Sequence, residues 1–198
     1  MWAKIVEFFK KLFAPAPVVP PSHAEFFAKV RKSFGKLSQA QVDGFNAILA
    51  EWEVRKLTDK RHLAYMLATA WHETAKTMRA IAEYGKGKGK KYGAIEIATG
   101  YAYYGRGLVQ LTWADNYKKM GKILGIALYE NPELALDTKI AVQIMFEGME
   151  RGSFTGKNLS DYFNATVDDP IGARKIINGT DRAQLIAGHH AKFLAALG

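Results

Sequence analysis

Residues 61–74, RHLAYMLATAWHET, decide the fold. Leu63, Met66, Leu67, Ala70 and Trp71 recur at steps of three and four, which predicts the buried stripe of an amphipathic helix opening at Thr58 or Asp59. Upstream, Ser22-x-x-Glu25 and Ser38-x-x-Gln41 are capping-box patterns, and they predict helices near 23–34 and 39–54. Downstream, residues 85–93, GKGKGKKYG, hold too much glycine and lysine for a helix and read as an exposed loop. Residues 94–111 carry β-formers and aromatics with glycines at 100, 105 and 107, so short strands or irregular backbone are expected there. Helices resume at Thr112, where Asp115 completes another capping box. Others are expected after Asn131-Pro132, Asp137, Asp169-Pro170 and Thr180, each with an N-cap residue in place. The predicted class is mainly α, with a small irregular β-like insertion between residues 76 and 111.

The first residues differ from this body. Residues 1–13, MWAKIVEFFKKLF, place Trp2, Ile5, Val6, Phe9, Leu12 and Phe13 on one broad helical face, with Lys4, Glu7 and Lys11 largely off it. Residues 14–21, APAPVVPP, are too rich in proline for a helix. A proline-rich linker over 14–22 therefore joins an N-terminal amphipathic helix to a body spanning 23–198. No apolar run approaches the roughly 18 residues that span a bilayer. Glu7, Lys10 and Lys11 interrupt the apolar stretch expected of a secretory signal. The expectation is synthesis in the cytoplasm without a clear signal peptide.

Of the 198 residues, 48% are hydrophobic, enough for a sizeable core. None is cysteine, which excludes a disulfide framework, a thiol nucleophile and a Cys-ligated metal. The formal net charge of +9 favours an anionic partner: nucleic acid, an acidic membrane surface or an anionic cell wall. The basic residues are dispersed, with no helix-turn-helix or aromatic RNA-binding pattern, so no nucleic-acid partner is expected.

Glu73 is the first candidate for chemistry. A carboxyl at the end of an apolar helix, beside Trp71, has a desolvated anion, and desolvation favours the protonated form that a general acid needs. His72-Glu73 also opens a zinc pattern, but Lys76 stands where the second histidine belongs. His23, His62, His189 and His190 show no ligand spacing, so neither metal nor cofactor is expected. Sugar cleavage needs a second carboxylate. Glu83 is the nearest downstream, yet ten residues of unbroken helix would carry it about 15 Å along the axis. The helix must end soon after Glu73 for the two to meet. Glu96, beyond the lysine loop, is the alternative base. Residues 101–117, YAYYGRGLVQLTWADNY, concentrate aromatics with Arg106, Gln110, Thr112 and Asn116. Aromatic faces stack on sugar rings, while amides and hydroxyls bind sugar hydroxyls.

Together these segments resemble the family 19 glycoside hydrolases, the fold of plant-type chitinases and of many phage endolysins. The resemblance runs over roughly residues 25–197. It rests on Trp71-His72-Glu73-Thr74, Tyr103-Tyr104-Gly105-Arg106-Gly107, Val109-Gln110-Leu111-Thr112-Trp113, Asn116-Tyr117 and Ile176-Ile177-Asn178-Gly179. Ile81-Ala82-Glu83-Tyr84-Gly85 resembles the endolysin branch more than the plant branch. The resemblance implies a lysozyme-like fold, Glu73 as general acid and Glu83 as second carboxylate. It implies Tyr104, Arg106, Gln110, Thr112, Asn116 and Asn178 as substrate-binding or acid-positioning residues, and an inverting reaction in which an activated water attacks the anomeric carbon. In plant-type chitinases the second glutamate lies farther along, nearer to Glu96.

The expected function is that of a lysozyme or endolysin. It would cut β-1,4 bonds of peptidoglycan glycan strands, act as a monomer and reach the wall after release from the cell. Residues 1–13 could add contact with an anionic membrane surface. The alternatives are a chitinase and a membrane-active lytic protein working through its N-terminal segment.

Overall fold

The computed structural model describes residues 22–198; the amphipathic segment 1–13 and the proline-rich stretch before Ser22 lie outside the described residues. Six α-helices carry the body: α1 Ser22–Phe34, α2 Gln39–Val54, α3 Lys60–Glu73, α4 Ala114–Leu124, α5 Thr138–Arg151 and α6 Ala183–Leu197. Two short strands, β1 Ile81–Ala82 and β2 Arg106–Gly107, pair antiparallel with Ile81 opposite Gly107 and Ala82 opposite Arg106. Isolated bridges at Ile95–Ala102 and Arg106–Leu111 complete the small insertion.

Several helix starts form as their sequences dictate. The Ser38 hydroxyl accepts from the Gln41 amide, and the Gln41 side chain accepts from the Ser38 amide at 2.8 Å. Asp59 caps α3 by accepting from the Arg61 amide at 3.0 Å, and Asp137 caps α5 by accepting from Ile140 at 3.0 Å. The capping box expected at Ser22 involves a side chain outside the described residues; Glu25 pairs with Lys29 one turn along at 2.8 Å. Other expectations fail. Thr112 and Asp115 form no capping box; α4 starts after Trp113, which makes no side-chain cap bond and has φ 72°. The segments after Asn131-Pro132 and Asp169-Pro170 form only 3₁₀ turns, Pro132–Leu136 and Gly172–Ile176. α6 comes after Arg182, two residues past Thr180, without a side-chain cap.

The larger correction concerns α3. A one-sided stripe is expected, yet every residue from His62 to Trp71 is buried. The helix runs through the middle of the body, packed along α6 with α2 and α5 on its other sides. Ala64, Ala68 and Thr69, off the predicted stripe, are small enough for neighbouring helices to approach on the remaining faces. Phe34 stacks on Phe193 at 4.7 Å between ring centroids, and Phe45 stacks on Trp71 at 6.0 Å. Burying each such side chain stabilises the fold by roughly 1.5–3 kcal/mol. The buried core thus grips the helix that ends in Glu73.

The segment after Glu73 turns the chain back. Thr74 donates its hydroxyl to the Ala70 carbonyl at 2.7 Å and accepts from the Met78 amide at 3.0 Å. Ala75, Lys76 and Met78 take left-handed φ values of 49°, 70° and 56°, a conformation that L-residues adopt only when their surroundings enforce it. Here the enforcement comes from α2. Gly44 packs against the turn so closely that a β-carbon there would fall 2.0 Å from the Met78 carbonyl oxygen. The reversal leads directly into β1, and Glu83 comes immediately after β1.

Candidate active site

The reversal after α3 brings Glu73 and Glu83 to one cleft of about 520 Å³. Its walls also hold Tyr92, Gln110, Thr112, Trp113, Asn116, Phe154, Thr155 and Asn178. Each carboxylate is held differently. Glu73 Oε1 accepts from Arg174 Nη1 at 2.6 Å, and the Arg174 side chain is only 2% exposed. Arg174 is itself fixed, donating through Nε to the Asp181 carbonyl at 2.8 Å. The Glu73 carboxyl therefore does not sit in the purely apolar setting that the sequence led us to expect; a buried guanidinium stands against one of its oxygens. Burial holds the neighbouring His72 below its ordinary pKa, so its imidazole stays neutral at neutral pH.

Glu83 is fixed by the insertion. Oε1 accepts from the Tyr92 hydroxyl at 3.0 Å and Oε2 from the Gly105 amide at 3.2 Å. Its backbone amide also donates to the Gly105 carbonyl at 2.7 Å. Burial, and then the Glu83 carboxylate itself, push the Tyr92 hydroxyl up, so it remains a donor. Tyr92 meets Trp113 edge to face at 5.5 Å, and Trp113 is 48% exposed. The two rings form an aromatic wall of the kind that stacks on sugars.

The remaining expected site residues divide. Gln110 reaches the cleft from a left-handed position, φ 55°, with its amide nitrogen donating to the Ile81 and Gly107 carbonyls at 3.2 and 3.3 Å. Thr112 and Asn116 line the cleft, Asn116 donating to the Thr112 carbonyl at 2.9 Å. Asn178 also lines the cleft, its backbone amide bonded to the Arg174 carbonyl at 3.0 Å. Arg106 and Tyr104 do not line the cleft. Arg106 is 2% exposed and bonds Glu133 at 2.9 Å, the Ala102 and Tyr104 carbonyls and the Tyr117 hydroxyl. Tyr104 lies beneath the Arg106 guanidinium, 3.6 Å from its ring centroid. Both brace the insertion rather than reach into the cleft. Glu96 is outside the cleft lining too; its backbone closes a turn with Thr99, Gly100 and Tyr101.

The glycines beside Arg106 pack closely against the protein itself. A β-carbon at Gly105 would fall 2.7 Å from Gln110 Oε1, and one at Gly107 would fall 3.0 Å from the Ala135 carbonyl oxygen. They admit neighbouring protein groups. Arg174, Tyr92, Trp113 and Thr155 were not expected as site residues. For Trp113, its place inside the aromatic run was the available signal. Arg174 had none, since Arg174-Lys175 looks like any exposed basic pair. Among the described residues no group of three or more His, Asp and Glu side chains is arranged to hold a metal ion.

The geometry has counterparts among known proteins. The profile of the family described as Chitinase class I, glycoside hydrolase family 19, matches residues 52–148. An endochitinase of Arabidopsis thaliana is 37% identical over 86 residues, 42% of this chain and 30% of its own length. Inactive chitinase-like protein 1 of Hevea brasiliensis is 43% identical over 47 residues, 24% of this chain and 15% of its own length. The matches thus span less than a third of those two relatives. The crystal structure of chitinase C from Streptomyces griseus HUT6037 superposes with a TM-score of 0.60 at 28% identity, covering 86% of this chain and 75% of its own.

Proposed function

We propose that this chain belongs to glycoside hydrolase family 19 and hydrolyses β-1,4 glycosidic bonds in bacterial peptidoglycan by acid/base catalysis. One observation carries the reading: Glu73 and Glu83 share a single cleft whose walls offer aromatic faces and amides. Family membership alone would not carry it, because one relative is named as inactive.

In this reading Arg174 occupies Oε1 of Glu73, which leaves Oε2 to hold the transferable proton. Oε2 delivers that proton to the glycosidic oxygen as the bond to the anomeric carbon breaks. The same guanidinium then stabilises the carboxylate that remains. Glu83, held by Tyr92 and Gly105, stays an acceptor and takes a proton from the attacking water. The water oxygen bonds the anomeric carbon from the opposite face, which inverts its configuration. Tyr92 and Trp113 stack on sugar rings, and Gln110, Asn116 and Asn178 bind their hydroxyl and acetamido groups.

The net charge of +9 favours an anionic wall polymer over neutral chitin. The second reading, chitin, is favoured by the names of the relatives. Digesting purified peptidoglycan and neutral chitin oligomers side by side, with mass spectrometry of the products, decides between them. Peptidoglycan fragments ending in reducing N-acetylmuramic acid are expected. Cleavage of the chitin oligomer with an untouched wall would overturn the peptidoglycan reading. The same reading gives residues 1–13 an accessory role at anionic membranes. Deleting residues 1–21 is then expected to abolish binding to anionic liposomes and to spare activity on isolated wall.

A further inference from the structure

Residues 85–93 are not a loose tail. The chain from Tyr84 to Lys91 is bracketed by two cleft residues, Glu83 and Tyr92, that are hydrogen-bonded to each other at 3.0 Å. Between them it coils through successive turns. Lys86, Lys88 and Lys90 donate their amides to the carbonyls of Glu83, Gly85 and Gly87 at 2.8–2.9 Å. Gly87 is buried and lies against Gly93: a β-carbon at Gly93 would fall 1.9 Å from the Gly87 oxygen. From this compact base Lys86, Lys88, Lys90 and Lys91 are all exposed. Among the described residues no carboxylate lies within ion-pair distance of any of the four.

Four like charges in six residues repel one another, and the fold holds them together at the rim of its cleft without described counter-charge. A ligand that brings negative charge to that rim relieves the repulsion. The cleft walls carry amides and aromatics suited to neutral sugar rings. The rim is suited to what hangs from such a chain.

We infer that the lysine loop is a specificity element that recognises carboxylates on the peptide stems carried by the glycan. The inference rests on the peptidoglycan reading and names the part of that substrate the rim takes. Chitin has no such substituent, so the loop discriminates by charge what the cleft cannot discriminate by shape. Its effect is steering and weak holding near the surface, and salt screens it over about 10 Å at 0.1 M.

The test combines a protein change with a substrate change. Lys86, Lys88, Lys90 and Lys91 are replaced together by Gln, and in a companion variant together by Arg, with melting curves to verify folding. The substrates are peptidoglycan freed of phosphate polymers, the same material with its carboxyls converted to neutral amides, and a neutral chitin oligomer. The Gln variant is expected to lose about tenfold in kcat/KM on native peptidoglycan at low salt, mostly through KM. It is expected to match the parent on the amidated wall and on the oligomer. The Arg variant restores the parent's rate, and the difference disappears at about 0.5 M salt. An unchanged rate on native wall, or an equal loss on the neutral substrates, overturns the inference. Sedimentation of Glu73→Gln protein with native and amidated wall, with and without the loop lysines, measures binding apart from cleavage. A wall that is bound through the lysines but never cut contradicts the peptidoglycan reading and leaves the loop assignment standing. A wall that is cut equally well without the lysines does the reverse.

Discussion

Arg174 and Glu73 stand 101 residues apart in sequence and 2.6 Å apart in space, a buried guanidinium donating to the oxygen of a cleft carboxyl. Removing the cation would leave Glu73 unpaired and the Asp181 carbonyl without its donor. Breaking a buried pair from one side commonly costs about 3–5 kcal/mol. Arg174→Met is therefore expected to lower the unfolding free energy by an amount of this order, read from urea denaturation. Arg174→Lys keeps charge but loses the two-nitrogen geometry, so it is expected to retain more stability than the methionine variant. Equal, small losses in both would mean that the pair holds nothing in place.

The second carboxylate is open to direct comparison. Glu83→Gln is expected to reduce wall hydrolysis by about 10²–10⁴-fold, the usual size of a lost general base. Glu96→Gln, outside the cleft, is expected to stay near the parent rate. A dead Glu96→Gln beside an active Glu83→Gln would reassign the base.

The turn between the two carboxylates depends on Gly44. A β-carbon there would meet the backbone oxygen and carbon of Met78, at 2.0 and 2.9 Å, and backbone cannot rotate away as a side chain can. Gly44→Ala is expected to cost about 1–3 kcal/mol, typical of overpacking, despite alanine's better helix propensity. It is also expected to slow hydrolysis, because the displaced turn sets the position of Glu83. A melting temperature equal to or above the parent's would contradict this.

His62 supplies a pH dependence away from the cleft. Burial opposes its charged form, but Glu150 at 3.2 Å on Nδ1 and the Phe163 carbonyl at 3.1 Å on Nε2 outweigh burial and raise its pKa. A histidine raised on folding stabilises fully below its unfolded value near 6.5, and that stabilisation is lost as pH rises through the folded value. The stability advantage of the parent over Glu150→Gln is thus expected to be largest at about pH 5–6 and to shrink toward pH 8–9, in parallel urea titrations. An advantage that grows with pH would show that His62 is neutral in the folded protein.

Legibility in the sequence depended on how local each signal is. The caps at Ser38, Asp59 and Asp137 involve partners two or three residues away, and all form. The break after Glu73 was permitted by the polar, poorly periodic segment Thr74–Thr77 but not dictated by it; it was a condition for Glu83 to meet Glu73. The burial of α3 on every side was not legible, since the helices covering Ala64 and Ala68 come from elsewhere in the chain. Arg106 was misplaced for a related reason. Arginine between two glycines in an aromatic segment looks ready for a ligand, but the fold turns it onto Ala102, Tyr104, Tyr117 and, 27 residues on, Glu133. Arg174 was invisible for the same cause, its partner being more distant still.

The most direct test falls on Glu73 as the donor of the proton. Glu73→Gln keeps an oxygen for Arg174 and so preserves the fold, but its amide cannot protonate a leaving group. Reducing-end release from purified peptidoglycan is measured for the parent and for this variant at equal concentrations of folded protein. The expected result is an unchanged melting temperature and a rate lower by about 10²–10⁴-fold. A folded variant that keeps more than about a tenth of the parent's rate would contradict the assignment, since that loss is far below what removing a general acid costs.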